Sequence, residues 1–417
     1  MSAEDADAPV GAHLTSRQRV RALWALGIAV AVDSVGAGVV LPVFTPIFLN
    51  EDTLTTSSSS DTRQFLLAIA IAVFPLGMLI GSPILGFLSD RFGRRRLILI
   101  SITAGAAMSL VCGVAIAAGW LVLLLLGRFV AGLFAGNMAL ARASAADLSG
   151  PGNRFVYISV IAMAANGGFV VSPIIGGIAA MSDPALPFIL IAVLTFITVF
   201  VVAWLLPETE RTDGTTRPPS GLGVAWKIVR RPGIRDALLA YLAVVIGWNI
   251  FFQFASVLLL VRFDSTSAQL GLFAALVGVY GVIASSVVAR WLNRRFTLNR
   301  ITIGALATMI PAVIIFGFVG NEVLAWIIVI PLSAGCVLAT SGIPTRGSEL
   351  VDDRSQGTVA GAFSAMTAIG WALGPLIAAL GAVVGLSFTF VLAAVGCAAS
   401  ILFFRRTPTT ASSHTSG

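Results

Sequence analysis

The chemistry open to this chain lies in a few polar side chains set within long apolar runs. Of 19 acidic residues, only Asp33 falls deep inside such a run, and of 26 Lys and Arg only Arg128 does. If the runs are helices, Asp33 is about eleven residues from one end of its run and Arg128 about eight from the opposite end of its own. That places them roughly 16 Å and 12 Å deep at 1.5 Å per residue. In a hydrocarbon layer about 30 Å thick, both reach mid-depth. A lone charge there costs at least about 2.5 kcal/mol. Two roles fit: a static ion pair, or a proton-carrying carboxylate whose neutral form is favoured by burial and whose ionised form is favoured by Arg128. Proton carriage is the expected one, since no other carboxylate reaches that depth.

Other chemistries lack their groups. Both histidines, His13 and His414, stand in the polar ends. Cys112, Cys336 and Cys397 sit in apolar runs at no metal-like spacing and imply no disulfide framework. No nucleophile–base set, metal cluster or nucleotide loop is recognisable, so an enzyme, a cofactor and a bound metal are not expected.

A second group of side chains is suited to lining a substrate cavity. Asn249 and Gln253 lie one turn apart on one helical face, among Trp248 and Phe252. Tyr280 and Trp371 are further candidates, as are Asn137 and Asn166. A polar pair on an apolar helix demands partners: substrate, or a neighbouring helix.

The elements that hold these groups follow from composition. The chain has 417 residues, 57% apolar and only 11% charged, against about 25% charged in a soluble domain. It has too few charges to cover a soluble surface, and its long continuous runs are unlike the alternation of a β-barrel. Twelve spans are expected: 22–50, 65–88, 97–118, 120–141, 155–181 and 187–206 as spans 1–6, then 237–261, 268–292, 301–320, 323–343, 358–384 and 386–404 as spans 7–12. The net charge of +7 sits in short clusters between runs, as the positive-inside rule predicts and nucleic-acid binding does not. With the N-terminus inside, Arg63 and Arg262 fall in outer loops and Arg128 in a span. The other 23 of the 26 fall at the inner side. Both termini are therefore expected in the cytoplasm, and residues 1–21 read as a tail rather than a signal peptide.

The division expected is a tail (1–21), a six-helix bundle (22–206), a linker (207–235), a second bundle (236–404) and a tail (405–417). An internal repeat supports it. Gly168-x-x-x-Ser172-Pro173 recurs as Gly370-x-x-x-Gly374-Pro375 at an offset of 202, and Asp147 has Glu349 at the same offset. Two homologous halves would enclose a site near mid-membrane.

Four motifs carry a resemblance. Gly86-Phe-Leu-Ser-Asp90-Arg91-Phe-Gly93-Arg94-Arg95-Arg96 follows span 2. There Gly86 suits close helix contact, Gly93 a tight turn, and Asp90 an arginine partner or a helix N-terminus. Gly127-Arg128-Phe-Val-Ala-Gly132 with Gly136 marks span 4, its two glycines forming a smooth stripe. Gly168-x-x-x-Ser172-Pro173-x-x-Gly176-Gly177 marks span 5, and Asp33-Ser-Val-Gly36-Ala-Gly38 with Pro42 marks span 1. Together they resemble the major facilitator superfamily, and within it the twelve-helix drug:proton antiporters of tetracycline-efflux type. The resemblance implies a latch at Gly86, Asp90, Arg91, Gly93, Arg94 and Arg95, and an antiporter motif at Gly168, Ser172, Pro173, Gly176 and Gly177. Spans 3 and 9 lack the acidic residues expected of a tetracycline–metal exporter.

The expected function is proton-coupled export of small lipophilic or cationic compounds by alternating access. The alternative is a metabolite or sugar porter of the same fold, since fold does not fix substrate. The expected partners are the substrate, protons and the lipid bilayer, with no nucleic acid, and a monomer is expected to suffice. Arginine-for-lysine usage suggests a bacterial cytoplasmic membrane.

Overall fold

The computed structural model describes residues 15–49, 54, 59–149, 154–207 and 227–408. The tails before residue 15 and after 408 lie outside these residues, as do most of the linker and the side chains of Ser16, Ser60, Asp61, Asp90, Ala146, Arg154, Phe155, Asp353 and Arg354. The described residues are helical, with turns and no strand. Twelve helices are long and apolar enough to cross a membrane, in the order expected. Helices serve because their backbone groups are satisfied within one segment, as hydrocarbon requires.

Local chemistry sets their ends. Thr15 and Gln18 form a capping box at the start of span 1 (Arg17–Leu49), the Thr15 amide donating to Gln18 Oε1 at 2.9 Å and the Gln18 amide to Thr15 Oγ1 at 3.3 Å. Span 7 begins at Pro232, five residues earlier than the apolar run suggests, because proline suits the first helical turn. Arginines close two other helices. Arg95 Nη2 donates to the Ala203 carbonyl at 2.7 Å near the end of span 6. Arg262 Nη1 donates to the carbonyls of Gly317 and Val319 at the end of span 9. A cation at a helix C-terminus complements its exposed carbonyls.

Three spans are interrupted. Span 1 breaks at Val39, where Pro42 supplies no N–H for the Gly38 carbonyl. Span 4 breaks over residues 134–136, between Leu121–Leu133 and Asn137–Leu148. Span 8 carries a π-helical stretch, Ala284–Val288, the kind of bulge often found at functional sites.

The chain forms two compact units, residues 1–58, 73–217 and 266–275 in the first and 59–72, 218–265 and 276–417 in the second. The first packs Leu26, Val30, Ile98, Leu140, Ile161 and Val202 into one core. The second is centred on aromatic rings, with Phe316 at 5.0 Å from Phe251 and 5.5 Å from Phe390.

Glycines let the backbones touch. A Cβ on Gly132 would meet the Phe74 carbonyl and one on Gly81 the Leu133 carbonyl, so span 2 and span 4 meet backbone to backbone, while Gly136 faces Leu85. Span 5 climbs span 1 in the same way. Gly168 lies on Ala31 and Ser34, Ser172 donates its hydroxyl to the Val35 carbonyl, and Gly176 lies on Val39. In the second unit the repeat reappears as packing, Gly370 against Val245 and Gly374 against Asn249. Gly86 departs from expectation. A Cβ there would meet no atom within 4 Å, so this glycine makes no close helix contact. Gly93 does hold the tight turn, at φ +94°.

Gly81→Val is expected to destabilise by about 1–3 kcal/mol, since backbone cannot yield as a side chain can. Gly167→Ala, with nothing within 4 Å, should be neutral or slightly stabilising. Thermal unfolding of the detergent-solubilised variants checks both.

Candidate functional site

Asp33 faces a cavity of about 50 Å³ inside the first unit. Its walls come from span 1, the upper half of span 2 (Phe74), span 3 (Ser101, Gly105, Ser109, Cys112), span 4 (Arg128, Phe134, Ala135) and span 6 (Ile191, Thr195). The break in span 4 opens one side, and Asn137, the first residue after it, donates from Nδ2 to Asp33 Oδ1 at 3.1 Å. A charge-assisted donor at the positive end of a helix is a favourable neighbour for a carboxylate.

Arg128 is 6% exposed and lines the same cavity, yet no ion pair within 4 Å joins it to Asp33. A static ion pair, the other role open to these two charges, is therefore not what the structure forms. Arg128 lies over the Phe74 ring at 4.5 Å and the Phe44 ring at 5.7 Å, contacts worth about 2 kcal/mol or more when desolvated. Sequence depth placed the two charges at one level, but could not show that Asn137 would take the carboxylate and two phenylalanines the guanidinium.

The cavity's size limits its cargo. About 50 Å³ holds roughly three to five waters, whereas drug-sized ligands occupy about 300–1,000 Å³. Protons, water and monatomic ions fit there. Sequence reasoning missed the wall hydroxyls Ser101, Ser109 and Thr195. A signal existed for two of them: Ser101, Gly105 and Ser109 follow one another at four-residue intervals, one helical face of small side chains.

The second-half candidates have structural partners. Asn249 and Gln253 are 2% and 5% exposed. Asn249 Nδ2 donates to the Val245 carbonyl at 2.9 Å, Gln253 Nε2 donates to Asn249 Oδ1 at 3.4 Å, and Gly374 packs on Asn249. This pair belongs to the contact between spans 7 and 11. Trp248 stacks on Phe252 at 5.8 Å. Tyr280 and Trp371 are half-buried, and Asn166 is exposed.

At the arginine-rich end of the first unit, Arg94 Nη1 lies 2.5 Å from Asp147 Oδ2. This ties the turn after span 2 to the end of span 4. Its repeat partner Glu349 instead accepts from Arg346 at 2.7 Å, and Arg346 also donates to the Pro408 carbonyl. Arg91 lies over the Phe92 ring at 5.4 Å. Pro173 and Gly177, at the far end of span 5, face Gly271 and Ser267 of the 266–275 segment.

Comparison with known proteins agrees with this architecture. The sequence profile of the Major Facilitator Superfamily matches residues 26–375. A class C tetracycline resistance protein of Escherichia coli is 26% identical over 361 residues, covering 84% of this chain and 86% of its own. Multidrug resistance protein 1 of Bacillus subtilis (strain 168) is 24% identical over 367 residues, covering 88% and 91%. Among solved structures, a bacterial homolog to the human lysosomal transporter Spinster superposes with a TM-score of 0.74 at 17% identity, covering 94% and 96%. With a profile matched across most of its length and twelve apolar helices in its fold, the chain is a multi-pass membrane protein that belongs to the major facilitator superfamily.

Proposed function

We propose that this protein is a proton-coupled exporter of small lipophilic or cationic compounds, working by alternating access in a bacterial cytoplasmic membrane with both termini inside. One observation carries the reading: Asp33, the lone carboxylate deep within a span, faces a small cavity inside one helical unit, held there by a neutral amide. A neutral partner leaves the carboxylate free to gain and lose a proton without breaking an ion pair. The relatives named for tetracycline and multidrug resistance support export of toxic compounds. The absence of acidic residues from spans 3 and 9 argues against a metal-chelated cargo.

In the proposed cycle Asp33 takes a proton from outside and releases it inside, and substrate binds in alternation. The drug itself binds elsewhere, because the Asp33 cavity is too small for it. Arg94, Asp147 and the Asp90 turn form the latch that biases one state, the Arg94–Asp147 pair being the part whose geometry is visible. The span 5 motif seals helix against helix through Gly168, Ser172 and Gly176.

Expressed in a drug-sensitive bacterium, the wild type is expected to raise the growth-inhibiting concentration of several lipophilic cations. Asp33→Asn, nearly isosteric with the protonated form, should abolish this at undiminished membrane yield. Resistance retained by Asp33→Asn would refute the coupling role. Asn137→Ala should leave export measurable in everted vesicles but shift its dependence on external pH. An unchanged pH profile would show the Asn137 bond to be irrelevant to coupling.

The Arg94–Asp147 pair is partly exposed, so its loss should cost only about 0–1 kcal/mol of stability. Arg94→Ala should slow export of every compound by a similar factor, and the swap Arg94→Asp with Asp147→Arg should restore much of the rate. Rates that change for some compounds and not others would place Arg94 in substrate selection instead.

A further inference from the structure

We infer that the cavity beside Asp33 is a binding site for a small monovalent anion, chloride being the natural probe, held by Arg128 and taken up when Asp33 is neutral. The inference rests on the proposed role of Asp33 as a proton carrier. Arg128 is nine-tenths buried in a span, has no carboxylate within 4 Å among the described residues, and its Nε has no hydrogen-bond partner. The rings of Phe74 and Phe44 cover the guanidinium but cannot accept its in-plane N–H bonds as an oxygen or halide does. Cations at such depth are kept by pairing, and among the described residues no carboxylate within ion-pair distance supplies the partner.

The same cavity offers a second unused donor. The Ser101 hydroxyl is 1% exposed and has no partner, and Ser109 and Thr195 bring two more hydroxyls to the wall. A guanidinium edge with hydroxyls around about 50 Å³ suits a monatomic anion with one or two waters and is too small for an organic carboxylate. Charge then decides occupancy. Asp33 and Arg128 are the charged residues lining the cavity. With Asp33 ionised their charges cancel, and an anion is repelled by the carboxylate. With Asp33 protonated the cavity carries one uncompensated positive charge and draws the anion in. Proton and anion therefore favour one another's binding, and this linkage is reciprocal.

The test uses the full chain purified in detergent in a gluconate medium, titrated with chloride while the unfolding temperature is followed, since a ligand that binds the folded state raises it. Wild type should show a saturable rise. Asp33→Asn should reach half-saturation at a chloride concentration lower by about tenfold, the carboxylate's repulsion being gone. Ser101→Ala should need several-fold more chloride, Arg128→Lys should respond weakly, and Arg128→Met not at all. Absence of any response in Asp33→Asn would overturn the site, even if Arg128 variants fail to fold. Identical responses in wild type, Asp33→Asn and Ser101→Ala would overturn it equally. Drug export by the wild type in vesicles is read separately. Export without a chloride response removes the anion site and leaves the transport reading standing, whereas a chloride response with resistance intact in Asp33→Asn refutes the linkage to proton carriage.

Discussion

A carboxylate in the middle of a membrane is the constraint around which the first helical unit is organised. Ionised and alone, Asp33 would cost at least about 2.5 kcal/mol in hydrocarbon. The chain sets Asp33 against a small cavity with hydroxyls in its wall and gives it one amide donor rather than an ion pair. Holding the amide there requires span 4 to break over residues 134–136, so that Asn137 begins a new helix beside Asp33. The break is tolerable because Gly132 and Gly136 let span 4 lie directly on span 2. The glycine contacts, the helix break and the acid are thus one arrangement.

The two units use the same repeat to different ends. Span 5 packs on span 1 and span 11 on span 7 through glycines and a serine at equivalent positions. The first unit gathers an acid and a base, Asp33 and Arg128, around one cavity, whereas the buried Asp236 and Arg346 of the second stand near helix ends, each beside an oppositely charged neighbour in sequence. The second fills its centre with Phe251, Phe316 and Phe390 and places Asn249 against Gly374. The proposed coupling step would then be confined to the first unit.

How much of this the sequence discloses depends on the range of the interaction. Twelve spans were legible because apolar length is a local property, and the span 4 stripe was legible because glycine spacing states which face is smooth. Gly93 could be read from its place between two helices. Gly86 could not, since whether a Cβ meets a neighbour depends on a helix distant in sequence. The same limit explains Asn249 and Gln253. Their one-turn spacing showed that they need partners, but only the fold shows that the Val245 carbonyl and Asn249 itself supply some of them while Gln253 Oε1 is left without one. Asp33 and Arg128 were legible as deep charges, yet their pairing was not, because the competing groups Asn137, Phe44 and Phe74 reach the site from three separate stretches of chain.

The central claim is that Asp33 carries the coupled proton. Its most direct test is proton release from purified protein in weakly buffered detergent when a transported compound is added. The account predicts release of about one proton per protein from the wild type and none from Asp33→Asn at matched substrate occupancy. Undiminished release from Asp33→Asn would contradict the account and leave Asp33 a structural carboxylate bonded to Asn137.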